Sequence, residues 1–223
     1  MTKSSGLGDQ LFISGVDIGA DISAIGGLST SRETLPGTGI TQSANARLFG
    51  KRDGMAEFTS YLNPSAGQAH AALSGLPRTD VHLMYLRGQG LDSRGIGIVG
   101  KQVNYDPNRG DDGSLMFGVS VQANAFGLDW GRQLTTGKQT DASATNSTAI
   151  DTTASASFGF QAYLQVFSLG SGTAEIDIQD SADNVSFANI TSGAFTDVTG
   201  STVERIQSSS ATGTVRRYVR VAT

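Results

Sequence analysis

The chain has 223 residues and no cysteine. That is long enough to bury a core without staples, and it excludes disulfides, a thiolate metal site and a cysteine nucleophile. A net charge of −4 argues against a protein that grips DNA by neutralising phosphates, which takes a basic surface, but not against one that DNA merely slides past. Charged residues are 16%, aromatics 7%, and 29 glycines accompany many Ser, Thr and Ala, a composition that suits a turn-rich, mainly β protein.

Met1 to Gln10 is polar and rich in Gly and Ser. It has no basic segment followed by an apolar run, and no later stretch reaches the apolar length of a membrane span. A soluble protein made in a cytoplasm, with no membrane anchor, is expected. Residues 22–50 are mostly Gly, Ser, Thr and Ala. They read as a long loop, an arm that reaches a neighbouring subunit.

Strand patterns follow. Ala56, Phe58, Ser60 and Leu62 alternate with Glu57, Thr59 and Tyr61. One helix is predicted next, with Asn63 as its cap, Pro64 in its first turn, and Ala66, Ala69, Leu73 and Leu76 at helical spacing before Gly75 and Pro77 stop it. Val81, Leu83 and Tyr85, and then Val99 to Tyr105, resume period two. Asp106-Pro107-Asn108 and Asp111-Asp112-Gly113 are turn signals, so Tyr105–Leu115 should close a hairpin. Leu115, Phe117, Val119, Val121 and Ala123 give the cleanest alternation in the chain. The opposite face of that strand is small and polar and should meet water.

Residues 138–157 are nearly all Ser, Thr, Ala, Asp and Asn and read as a linker. Beyond it, Phe158 to Val166, Ala174 to Gln179 and Val215 to Val221 alternate again. A small β-sandwich over 158–223 is expected, marginal alone at that size. The chain ends inside a strand pattern, so either the chain is truncated or that last strand should pair with a neighbour.

Chemistry is sparse. His70 and His82 are the two histidines, and no Gly-x-Ser-x-Gly elbow accompanies them, so no catalytic residue is assigned. Asp177, Asp180 and Asp183 are the candidate metal ligands, but their spacing departs from a calcium loop and a side-chain-held turn is the simpler account. Arg109-Gly110-Asp111 matches an adhesion tripeptide and reads as a hairpin loop. Gly95-Ile96-Gly97 stands before a strand and not between a strand and a helix, so no nucleotide cofactor is expected. Arg216, Arg217 and Arg220 fall on alternating faces of one strand, which points to a solvated or interface role.

An ordered set of segments carries a resemblance. It runs through Arg52-Asp53-Gly54, Glu57-Phe58, Asn63-Pro64, Gly67-Gln68-Ala69-His70, Leu76-Pro77, Tyr85-Leu86-Arg87-Gly88, Lys101-Gln102, Tyr105-Asp106, Asp112-Gly113-Ser114-Leu115, Ala123-Asn124-Ala125 and Gly127-Leu128-Asp129-Trp130-Gly131. Over residues 10–137 the set resembles the major tail tube proteins of long-tailed bacteriophages. The resemblance implies a tail tube β-sandwich with one flanking α-helix over 1–137, followed by a small C-terminal β-sandwich decoration. It implies hexameric rings that stack into a tube through the arm at 22–50. Ser120, Gln122 and Asn124 would line a lumen that DNA crosses without specific binding. Tape measure, tail terminator and tail-tip or baseplate proteins would be partners, and the location would be the virion tail. A rival expectation is a capsid decoration or a carbohydrate-binding adhesin that uses the second unit with Tyr163 or Tyr218. A histidine-based hydrolase ranks third.

Overall fold

Period-two patterning dominates the sequence and strands dominate the structure. The computed structural model describes residues 5–223. Its strands are β1 Gln10–Ile13, β2 Val16–Asp17, β3 Ile22–Pro36, β4 Arg47–Tyr61, β5 Val81–Leu86, β6 Arg94–Arg109, β7 Leu115–Ala123, β8 Asp129–Arg132, β9 Ile150–Asp151, β10 Gln161–Val166, β11 Asp177–Ser181, β12 Ala188–Ala194, β13 Thr202–Gln207 and β14 Tyr218–Ala222. The helix α1 is Ala69–Leu73. The expected mainly β fold is what forms.

Two compact units interleave along the chain. One holds residues up to Gly19 with Met84–Gly95 and Trp130–Thr223, and the other holds Ala20–Leu83 and Ile96–Asp129. The expected boundary after residue 137 therefore differs from the observed grouping. Described residues before Ala20 group with the C-terminal strands because they have partners there. Gly15 N–H donates to Gln165 Oε1 at 2.7 Å, and Phe12 meets Phe167 edge to face at 5.0 Å.

In the second of these units the strands order as β3-β4-β7-β6, all antiparallel. Phe58, Phe117, Val119 and Val121 are buried with Ile96, Ile98 and Leu128. Burial of each such side chain contributes roughly 1.5–3 kcal/mol. β6 and β7 approach closely at Gly100, where a Cβ would lie 2.2 Å from the Gln122 carbonyl oxygen. Only a residue without a side chain fits there. The hairpin between them forms as expected, although β6 runs on through Pro107 to Arg109 and the turn shrinks to 110–114.

The helix is shorter than its pattern. Asn63 does not cap it: its amide donates to Asp21 Oδ1 at 2.8 Å, while Asp21 Oδ2 accepts the Ala69 N–H at 3.0 Å. Gly67, at φ +75°, breaks the backbone ahead of it. Residues 22–50 are not a loop. They form most of a long hairpin of β3 and β4 around a tip at 37–46.

In the unit that carries the C-terminus, β12-β11-β14-β9 make one sheet and β10-β13 another. Ile150, Ile176, Ile178, Ile190, Phe195, Val198 and Val219 are buried together, with Phe160, Leu164 and Ile206 packed on them. These two sheets share one core where a small sandwich over 158–223 was expected, and the compact unit extends beyond those residues. The expected linker is part of it. Ile150 enters the core, and the backbone on either side of it lies along β14, with Thr145, Ser147, Thr152 and Ala156 N–H groups donating to carbonyls of Thr223, Val221, Arg217 and Val215 at 2.8–2.9 Å. An open strand edge takes up backbone groups that otherwise have no partner. β14 thus pairs on both sides within the chain, with β11 and with β9.

Candidate assembly surface

The β3–β4 hairpin has an inner and an outer half. In the inner half, Met55–Tyr61 of β4 pair with β7, so this stretch is the middle of a sheet. The outer half begins where that pairing stops. Ser31 faces Asp53, Arg32 faces Arg52, Thr34 faces Phe49 and Leu35 faces Leu48. The tip is tied by Gly37 N–H to the Ala46 carbonyl (3.0 Å), Ala46 N–H to Thr38 Oγ1 (2.9 Å) and Gly39 N–H to Gln42 Oε1 (2.8 Å). The outer half is a defined two-stranded ribbon, an architecture that is marginal in water without a packed face. Its apolar side chains are uncovered: Leu48 is 62% exposed, Phe49 76%, and Leu35 and Ile40 are exposed too. The Arg32 guanidinium lies 5.9 Å from the Phe49 ring centre. Arg47, Lys51 and Arg52 add positive charge, against Glu33 and Asp53. The far edge of β3 has no partner strand among the described residues, which makes it a template for strand addition.

Two of the three expected lumen residues share a strand face. Ser120 and Gln122 lie on β7 opposite the buried Phe117, Val119 and Val121. Glu57 pairs with Ser120 and Lys101 with Gln122, so this face also carries charge of both signs. Ser120 N–H donates to Asn104 Oδ1 at 2.7 Å. Asn124 lies just past the end of β7. Its amide donates to Asp80 at 3.0 and 3.2 Å, and Lys101 Nζ sits 2.8 Å from the same carboxylate. The Lys101 hydrogen bond, with the Asn124 amide and the His82 charge, holds the Asp80 carboxyl below its ordinary range.

The three candidate metal ligands are engaged separately. Asp177 accepts from Asn189 Nδ2 at 2.6 Å. Asp180 is buried against Arg216. Asp183 holds a turn, accepting from the Ser186 and Val185 N–H groups at 2.9 Å and from the Ser181 hydroxyl at 2.8 Å. Among the described residues, no group of three or more His, Cys, Asp or Glu is placed to hold a metal ion. His70 is tied to the Tyr105 hydroxyl through Nδ1 at 2.9 Å, beside the Tyr105–Phe117 stack. His82 stands on β5.

The arginines of β14 and its approach are each partnered. Arg216 meets Asp180, Arg217 makes a two-pronged bond to Asp151 at 2.6 and 2.7 Å, and Arg220 donates to Gln179 Oε1. Of the tyrosines in the rival reading, Tyr163 carries Arg205 over its ring at 5.5 Å and Tyr218 carries Arg217 at 5.0 Å.

Two carboxyls of this unit are held at about 2, below their ordinary value of 3.8: Asp183 by the Ser186 and Val185 N–H groups, and Asp151 by Arg217. A depressed folded-state pKa stabilises the fold above the ordinary value, and that stabilisation is lost as pH falls through the folded one. Thermal midpoints recorded in acid should therefore drop across that window. The double variant Asp151→Asn, Asp183→Asn should show a flatter decline, and an identical decline in both proteins refutes the assignment.

No protein-family model matches the chain, and a search of curated proteins finds no match. Among solved structures the chain is similar to the SPP1 Dit protein (gp 19.1), described as a paradigm of the hub adsorption apparatus in phages that infect Gram-positive bacteria, with 12% identity, a TM-score of 0.37, and 96% of this chain and 94% of that one covered. A likeness of that degree carries no argument about role. No helix among the described residues is long and apolar enough to cross a membrane.

Proposed function

We propose that the chain is a structural subunit of a bacteriophage tail, which self-associates into hexameric rings stacked as a tube for DNA passage, and that it acts without catalysis. The observation that carries this reading is the outer ribbon of the β3–β4 hairpin. Its Leu35, Ile40, Leu48 and Phe49 are exposed among the described residues, and exposed apolar groups on an ordered element mark a contact surface. The ordered resemblance over residues 10–137 supplies the kind of assembly. The free edge of β3 is available for pairing with a neighbouring copy. The polar face of Ser120 and Gln122, in a chain of net charge −4, suits a wall past which a polyanion moves without sticking. The tape measure, tail terminator and tail-tip proteins are the partners this role calls for, and the virion tail is the location.

Sedimentation velocity over a concentration series tests self-association. The expected outcome is a species of six 23.1 kDa protomers or larger stacks. A monomer at every concentration refutes the reading.

A further inference from the structure

A second surface lies on the β12-β11-β14-β9 sheet, on the face opposite its buried core. Gln179 is the cross-strand partner of Asn189 on one side and of Arg220 on the other. The three side chains thus stand in a row on the face opposite the buried Ile178, Ile190 and Val219. They are bonded end to end. Asn189 Nδ2 donates to Asp177 Oδ2 at 2.6 Å, Gln179 Nε2 donates to Asn189 Oδ1 at 2.9 Å, and Arg220 Nε and Nη2 donate to Gln179 Oε1 at 2.9 and 2.7 Å. The row ends on an aromatic ring, with the Arg220 guanidinium 4.0 Å from the centre of Phe187.

Side-chain-to-side-chain bonds are the minority class in proteins, and ordering long side chains at a surface sacrifices rotamer freedom. A continuous row of them is preorganised. It also has capacity in hand: each amide carries two hydrogens and the row uses one, and the guanidinium carries five. Unused donor hydrogens therefore run from Asn189 through Gln179 to Arg220, with the Asp177 carboxylate as acceptor at one end and the guanidinium–Phe187 stack at the other. Vicinal hydroxyls, each both donor and acceptor, can accept from those hydrogens and donate to Asp177, and the C–H groups of a pyranose can lie against the stack. Asp177 and Arg220 cancel in charge, which favours a neutral ligand. A protein partner would want an apolar centre, which this row lacks. An added strand would want an edge, and these groups stand on a face.

We propose that Asp177, Gln179, Phe187, Asn189 and Arg220 form a binding site for a neutral pyranose glycan. The site does not rest on the tube reading. The full chain is screened on an array of hexopyranose and N-acetylhexosamine oligosaccharides, and the strongest binder is taken to calorimetry. Saturable binding is expected, reduced at least tenfold by Asn189→Ala, Phe187→Ala and Gln179→Ala and retained by Gln161→Ala, which lies on the other sheet. Gln179→Glu, which keeps the side chain's shape, should lose binding with an unchanged thermal midpoint. An array with no signal above background, or binding undiminished in these variants, overturns the site.

Discussion

Removing Glu33–Lys51 and closing Arg32 to Arg52 through an Asn-Gly turn is expected to abolish self-association and leave the remaining sheet folded. Arg32 and Arg52 are direct cross-strand partners, so a two-residue turn fits the gap and its twist suits the flanking strands. The deleted residues are almost all exposed and add little to the unit's own core. What they take with them is contact. Burying Leu48 and Phe49 in a partner contributes on the order of 1.5–3 kcal/mol for each side chain, so even Leu48→Asp with Phe49→Asp should weaken association by a factor of about a hundred. Light scattering after gel filtration reads both results. A shortened chain that still assembles, at parental midpoint, places the contact elsewhere.

Arg216→Ala is expected to destabilise the C-terminal unit by about 3 kcal/mol, because it leaves a buried carboxylate without its charge partner. Asp180 has 6% of its side chain exposed, against 38% for Arg216. Arg216 Nε reaches Asp180 Oδ1 at 2.6 Å and Nη2 reaches the Asp180 carbonyl at 2.8 Å, while the Arg216 N–H holds the other carboxylate oxygen at 2.7 Å. The backbone bond survives the substitution and the two guanidinium bonds do not. Arg216→Lys should fall between, since an ammonium lacks the planar fork. Arg217→Ala is the contrast. Its partner Asp151 is solvated, and screened pairs of that kind add less than buried ones, so its loss at neutral pH should be well below that of Arg216→Ala. Urea unfolding separates the cases, and equal losses for the two alanine variants would mean that burial is not what sets the difference.

Where one face was buried, the sequence was legible. β7 alternates in structure as its residues alternate in type, because Phe117, Val119 and Val121 go in and Met116, Gly118 and Ser120 stay out. The outer ribbon was hidden for the same reason in reverse. With both faces in solvent it has no apolar rhythm, so residues 22–50 read as a loop although their strands pair throughout. The segment 138–157 was hidden because its pairing with β14 uses backbone groups, which composition does not report; Ile150 was its one apolar signal. The helical spacing outruns the helix because Asn63 serves Asp21 and not the helix end. For the candidate surfaces, the outward positions of Ser120 and Gln122 were readable from period two. The row from Asp177 to Arg220 was not, since it joins three strands whose register only the fold defines.

Electron microscopy of the purified chain tests the central claim most directly. Rings with a central channel, or hollow tubes built from them, are the predicted result. Fields of dispersed monomers at concentrations well above those of a virion preparation, together with tails that lack the protein, would contradict it.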